Sequence, residues 1–223
     1  MHNQDQSLQH WRGLHKQARF RPQYPNESVV RFLLTSFPAE ERARLSALDI
    51  GVGGGRHTKL LCELGFQTTG VDLSDEGLRH CRSLLDSLGY RANLRQADMT
   101  HLPFESSTFD CAVSYGVYYY TDRCGMETAV AELYRVLRPS ARAFVVLRTT
   151  DDYRCGKGAE LELNTFRIEV SETNECGSIQ HFIGEADVID LFGSFSEVFF
   201  EREDSTFAAR QFTNSDWLIT LTK

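Results

Sequence analysis

Three carboxylates and a cluster of glycines have the spacing best suited to chemistry in this chain. The run Leu48-Asp49-Ile50-Gly51-Val52-Gly53-Gly54-Gly55-Arg56 sets Gly51, Gly53 and Gly55 behind an acidic residue, Asp49. At a strand-to-helix turn, glycines let a ligand press against the backbone because no Cβ stands in the way. Asp72 follows Gly51 by twenty-one residues, at the end of a second apolar stretch. An acidic side chain there accepts hydrogen bonds from ribose hydroxyls, and Leu73 joins it in the expected binding set. Asp98 comes third, in Gln96-Ala97-Asp98-Met99. Its carboxylate suits an exocyclic amine, and the Met99 thioether suits the face of an adenine ring. The three carboxylates together describe a pocket for a nucleoside.

Two cofactor classes use such a turn. A dinucleotide site wants G-x-G-x-x-G and leaves its helix N-terminus free for pyrophosphate. Here Gly51 and Gly53 fit, but Arg56 occupies the third glycine position. The spacing is instead D-x-G-x-G-x-G. A carboxylate at Asp49 repels pyrophosphate and suits a ligand that carries an ammonium and a sulfonium, which is S-adenosylmethionine. Asp72 serves both classes and does not choose between them.

The residues for a second substrate are less sharply marked. Ser114-Tyr115-Gly116-Val117-Tyr118-Tyr119-Tyr120 offers aromatic faces and hydroxyls, a wall that suits a cationic or aromatic acceptor. Tyr118 from this run and His181, the lone histidine between residues 150 and 183, are the candidate catalytic side chains. No metal site is expected, because the nearest two of the six cysteines, Cys111 and Cys124, are thirteen residues apart and no CxxC pair occurs. Buried free thiols in a reducing compartment account for the cysteines.

These residues need a scaffold that alternates strands with helices. Short strands are expected at 47–50, 67–71, 92–96, 109–115 and 143–148. Helices are expected at 56–64, 74–88 and 127–137, with Ser74 as a cap and Gly65 as a stop. That order implies a parallel sheet covered on both faces. Before it, a short helix at 10–17 and a helix capped by Asn26 form an N-terminal helical arm, residues 1–45. After it, 161–170 and 178–183 read as one hairpin, then a helix at 185–192 and strands at 198–203 and 217–222. The chain therefore reads as a single domain of 223 residues: the arm, a cofactor-binding core at 46–149, an inserted substrate lid at 150–183, and a closing helix and strands at 184–223.

Composition narrows the class further. Hydrophobic residues make up 41% and charged residues 25%, as in a globular protein, which argues against disorder and coiled coil. No apolar run reaches the ~18 residues of a membrane helix. The N-terminus is polar, without the apolar stretch of a signal peptide, so the cytoplasm is the expected location. The net charge of −7 is uneven: residues 151–223 carry six Lys/Arg against fifteen Asp/Glu. An acidic third repels phosphate backbones, so a nucleic-acid substrate is not expected.

The segments LDIGVGGGRHT, TGVDLS, QADMTHLPF, FDCAVSYGV and ELYRVLRP resemble the class I S-adenosylmethionine-dependent methyltransferases, in particular the small-molecule group often labelled type 11. The resemblance implies an α/β, Rossmann-like sheet of seven strands in the order 3-2-1-4-5-7-6, the last antiparallel, with helices on both faces. It implies that Asp49, Gly51, Gly53 and Gly55 hold the methionine part of the cofactor and that Asp72 holds the ribose. Asp98 and Met99 would contact the adenine, with Ser114 beside the cofactor. The chain departs from the family after Pro139, where glycines are usual and Ser140-Ala141-Arg142 stands instead. The activity so implied is methyl transfer to a small molecule, with no membrane partner. The alternatives are a catalytically silent binding protein of the same fold, or an enzyme acting on tRNA or protein. The acceptor and the oligomeric state are not legible at this level.

Overall fold

The computed structural model describes residues 22–170, 173 and 175–223. The helix expected at 10–17 lies outside the described residues. The first described helix is α1, Glu27–Ser36. Its Val29, Phe32 and Leu33 are buried, and the Phe32 ring stacks on Phe144 of the sheet at 5.3 Å. Asn26 stands at the cap position, but its side chain does not cap. Its Nδ2 donates instead to the Tyr115 hydroxyl at 2.7 Å, because the helix start is docked against the sheet. A single 3₁₀ turn, Arg42–Arg44, leads into the core.

Strands and helices then alternate: β1 Ser46–Ile50, α2 Arg56–Glu63, β2 Gln67–Asp72, α3 Asp75–Leu88, β3 Asn93–Gln96, β4 Phe109–Tyr115, α4 Arg123–Val136 and β5 Leu137–Arg148. The Ser74 hydroxyl accepts from the Gly77 amide and caps α3 as expected. Helix α4 begins a turn earlier than the sequence suggests, because Asp122 caps it through the Gly125 amide at 2.8 Å.

Beyond β5 come β6 Gly158–Glu162, β7 Thr165–Ile168, β8 Ile179–His181, α5 Glu185–Leu191, β9 Glu197–Phe207 and β10 Phe212–Thr222. The main sheet has seven strands in the order β3-β2-β1-β4-β5-β10-β9. Strands β1 to β5 run parallel, and β10 lies antiparallel to β5. With β9 as the sixth strand and β10 as the seventh, this is the expected 3-2-1-4-5-7-6 order. One apolar layer joins α4 and α5 to the sheet through Leu133, Val188 and Phe192. The other joins α1 and α2 through Phe32, Leu33 and Leu61.

Three local differences from the sequence reading have physical causes. Strand β5 bulges against β4, where Cys111 pairs with Arg142 and Phe109 with Leu137. Ser140 sits in that bulge with φ +65°, the left-handed conformation that glycine adopts most easily. The backbone shape survives the change from glycine to serine, with its amide bonded to the Lys223 carbonyl at 2.9 Å. The single hairpin expected at 161–183 is instead a three-stranded sheet, β6-β7-β8. Asn164, at φ +60°, turns the chain between β6 and β7, and the wholly exposed β6 has no apolar alternation to reveal it. Strands β9 and β10 run past their expected limits into a long hairpin. Strand β9 is a sheet edge, and its outer half carries Glu201, Arg202, Glu203 and Asp204 in the open.

The cysteines form no disulfide. Cys81 and Cys111 are buried, but Cys124 and Cys176 are exposed, so the reading of the thiols as buried holds for only some of them.

Candidate functional site

The site is built where β1, β2 and β4 end. The glycine turn hangs on the last residues of β2: the amides of Gly51 and Val52 both donate to the Val71 carbonyl, at 2.8 and 3.1 Å. Gly51 has φ +80°, and a Cβ there would lie 2.2 Å from Cγ2 of Val117. Only glycine lets this turn pass beneath the loop after β4. Gly55 has φ +91° and no room for a Cβ beside Cys81, so its role is to start α2 against α3. Asp72 ties the turn to the next helix. Its Oδ2 accepts from the Gly53 amide at 2.8 Å, and its Oδ1 accepts from the Ser74 amide at 2.7 Å.

A cavity of about 600 Å³ opens above these strand ends. That is within the ~300–1,000 Å³ of small-molecule sites. Gly51, Gly53, Asp72, Leu73, Asp98 and Met99 all line it. Asp98 is steadied by its own turn, with Oδ1 accepting from the Thr100 amide and hydroxyl at 2.8 and 2.7 Å. Another hollow, of about 490 Å³, lies at the opposite edge of the sheet by Ser46, Gln67 and Thr108, away from all these residues.

Asp49, Gly55 and Ser114 do not reach the cavity wall. Asp49 lies beneath the turn, 2% exposed, and accepts from the Thr58 hydroxyl at 2.6 Å. Burial pushes its carboxyl up to about 6, and the nearby Asp72 adds to this, while Thr58 and Arg56 oppose it. Ser114 is buried within β4, and the next two residues, Tyr115 and Gly116, take the lining position.

Arg56 and His57, which the sequence did not single out, do line it. The Arg56 guanidinium lies 5.2 Å from the centre of the Tyr115 ring. His57 accepts from the Asn26 amide through Nε2 at 3.3 Å, and burial followed by the Arg56 charge holds its imidazole down to about 3. It is therefore neutral at physiological pH.

Residues 47–140 match a family model described as a methyltransferase domain. Over those residues the chain is similar to methyltransferase domains. Over 106 residues it is 35% identical to the ubiquinone/menaquinone biosynthesis C-methyltransferase of Haemophilus ducreyi, covering 44% of this chain and 39% of that one. Over 136 residues it is 26% identical to the mitochondrial ubiquinone biosynthesis O-methyltransferase of Bos taurus, covering 59% and 36%. The chain thus spans well under half the length of these curated relatives. An S-adenosylmethionine-dependent methyltransferase from Methanosarcina mazei superposes with a TM-score of 0.73 at 22% identity, over 90% of this chain and 98% of that one. The 1,6-didemethyltoxoflavin-N1-methyltransferase of Burkholderia thailandensis, solved with its substrate and S-adenosylhomocysteine, superposes with a TM-score of 0.69 at 17% identity, over 99% and 86%. The two structural likenesses show the fold.

Neither expected catalytic side chain faces the cavity. Tyr118 is fully buried in the core, with a hydroxyl that has no hydrogen-bond partner among the described residues, and burial drives its pKa far up. The turn after β4, with Gly116 at φ +71°, sends Tyr118 inward and leaves Tyr115 and Tyr120 on the wall. His181 is 3% exposed, and its Nδ1 shares a 2.6 Å hydrogen bond with the Thr165 hydroxyl. Burial, and then the Arg123 charge, lowers its pKa. It fastens β8 to β7.

Behind Tyr120, which lines the cavity, lies a buried ionic cluster. Arg148, at the end of β5, holds Glu175 with two bonds of 2.9 Å. Arg154 holds the same carboxylate at 3.1 Å and Asp152 through two bonds of 2.8 Å. The Tyr120 hydroxyl donates to Glu175 at 2.7 Å. Against the resistance of burial, the two guanidinium groups and these hydrogen bonds hold the Glu175 carboxyl well below the usual range, so it stays ionised. Among the described residues no group of His, Cys, Asp and Glu could hold a metal ion.

Proposed function

We propose that the chain is an S-adenosylmethionine-dependent methyltransferase acting on a small molecule. The observation that carries this reading is one cavity that brings the glycine turn, Asp72, and Asp98 with Met99 to the ends of adjacent parallel strands. The residues fit the cofactor: the turn at Gly51 leaves open the space a side chain would fill, and the walls carry nucleoside-type acceptors. Asp72 would hold the ribose and Asp98 the adenine amine. Asp49 would favour the cationic end from beneath the turn. When bound, the cofactor supplies an electrophilic methyl group on a sulfonium.

The chain's own part is placement. Holding the acceptor in line with that methyl supplies much of the rate, and a base is needed only where the acceptor atom carries a proton. Any proton displaced from the acceptor atom on methylation would pass to a base or to solvent. The acceptor half lies toward Thr121, Ser178 and Ile179, where the 150–183 segment closes the cavity. The curated relatives and the toxoflavin-precursor enzyme support a small-molecule acceptor. The acidic C-terminal third disfavours RNA. The six unbridged cysteines, with no described helix long and apolar enough to cross a membrane, support the cytoplasm. We read the whole chain as one functional unit of arm, core, lid and closing strands.

Side-by-side calorimetry with S-adenosylhomocysteine and NAD is the first test. Binding of the former alone supports the reading, and binding of NAD alone overturns it. Release of labelled methyl to a metabolite panel then separates an enzyme from a silent binder.

A further inference from the structure

The aromatic wall after β4 matches a cationic acceptor in composition, but its faces are already taken. The Arg148 guanidinium lies 4.2 Å from the centre of the Tyr119 ring and 5.6 Å from that of Tyr120. Arg56 covers Tyr115 at 5.2 Å. Tyr118 is in the core. The protein has filled its own aromatic cage with its own cations.

What the lid offers the cavity is a further cation. Strand β7 buries Phe166 and Ile168 on one side. Arg167 alternates to the other side and lines the cavity, next to its cross-strand neighbour Ile179. Among the described residues Arg167 makes no ion pair, and its one hydrogen bond is a long one of 3.5 Å to the Gly177 carbonyl. The carboxylates that share the lining are Asp72, Asp98 and Asp122. Asp72 and Asp98 sit at the nucleoside end, and Asp122 is occupied as the cap of α4. Of the other guanidinium groups near this cavity, Arg56 lies over the Tyr115 ring, Arg148 is paired with Glu175, and Arg154 is paired with Asp152 and the same Glu175.

Resting on the proposed function of this site, we propose that the methyl acceptor is a small organic acid whose carboxylate is received by Arg167, with its apolar body against Val117 and Ile179. A guanidinium matches a carboxylate with two parallel charge-assisted bonds, and a half-buried setting strengthens them. In a chain of net charge −7, an unpaired cation set in a cavity is a local reversal of the surrounding field.

The test uses the full chain loaded with S-adenosylhomocysteine. It is titrated in a calorimeter with benzoate and short aliphatic acids, each beside its amide. Labelled transfer from S-adenosylmethionine to the same panel is then measured. The expected result is that at least one acid binds at least about tenfold more tightly than its amide. Arg167→Gln should erase that preference and Arg167→Lys should restore part of it. Both variants should bind S-adenosylhomocysteine like the parent, which also shows that they fold. Equal binding of acid and amide, no acid binding at millimolar concentration, or a preference for amines overturns the proposal. So does a matching loss of S-adenosylhomocysteine affinity in Arg167→Gln, which would assign Arg167 to the cofactor's own carboxylate. Failure of the parent to bind S-adenosylhomocysteine at all is a different outcome, and it overturns the methyltransferase reading itself.

Discussion

At the ends of β1 and β2 the cavity wall is mainly backbone. Glycines, a bare turn and two amides aimed at Asp72 set its shape. Across the cavity the wall rests on side chains: Tyr120 lines it, and behind Tyr120 Arg148, Arg154 and Glu175 lock into one another at the end of β5. The first wall depends on φ angles that one residue type tolerates. The second depends on charges that cancel. A backbone cradle suits a ligand that is the same in every turnover, and a side-chain wall can be rewritten for a new acceptor without touching the cradle.

Breaking the ionic wall should have the largest effect. Glu175→Gln leaves Arg148, itself 5% exposed, without its counter-charge. Removing one member of a buried pair destabilises by about 3–5 kcal/mol. A chain of this size loses roughly 2–4 °C of Tm per kcal/mol, so thermal melting should show a drop of roughly 6 °C or more. S-adenosylhomocysteine affinity should change by less than about 1 kcal/mol, as for a site outside the cradle. A large loss of cofactor affinity would show that the two walls are not separate.

Gly51→Ala attacks the cradle. Its φ of +80° strains any L-residue by about 1–2 kcal/mol, and the added Cβ overlaps Val117. Cofactor binding by calorimetry should weaken by at least about 2 kcal/mol, and adding Val117→Ala should recover the steric share but not the backbone share. Full recovery would mean that the positive φ is not needed.

Asp72→Ala should weaken S-adenosylhomocysteine by about 1–3 kcal/mol, through lost charge-assisted bonds and a slackened Gly53 turn, while the fold survives. Unchanged binding would remove Asp72 from the ribose.

The smallest effect is a pH dependence. Burial raises the Asp49 carboxyl from its ordinary 3.8 to about 6. The folded chain then holds this proton more tightly than the unfolded chain does. The group's contribution to stability is full below 3.8 and is lost as pH rises through about 6. A cationic ligand favours the ionised form, so S-adenosylmethionine should bind more tightly as pH rises through about 6 and level off above it. Asp49→Asn should flatten that profile and raise the melting temperature of the ligand-free protein at neutral pH.

The same contrast explains what the sequence reveals. Strand β4, the Ser74 cap and the turn at Gly51 follow from neighbours within a few residues, and each is where its pattern places it. Residue chemistry also locates Asp72, Leu73, Asp98 and Met99, since a strand end faces the cavity in any sheet of this order. The other wall joins residues far apart in the chain. Arg148 meets Glu175 across twenty-seven positions, and no local pattern announces that contact. Tyr118 was ambiguous for another reason: in an aromatic run, the face each ring takes is set by one glycine's φ. Arg56 and His57 could have been found, because the first turn of a helix that starts at a ligand loop necessarily borders the ligand.

Strand β9 bears on how the molecule behaves in a crowd. An open sheet ends in two rows of unsatisfied backbone groups, which invite strands from other molecules and so seed aggregates. Strand β3 limits that risk by being four residues long. Strand β9 is eleven residues long and leaves Phe199 exposed, yet it sets Glu201, Arg202, Glu203 and Asp204 along its outer half. Another strand laid against it would have to bring its own side chains up to that charged row. The surplus of acid in the last third of the chain, six basic residues against fifteen acidic, thus acts in part as a guard that keeps neighbouring copies from pairing edge to edge.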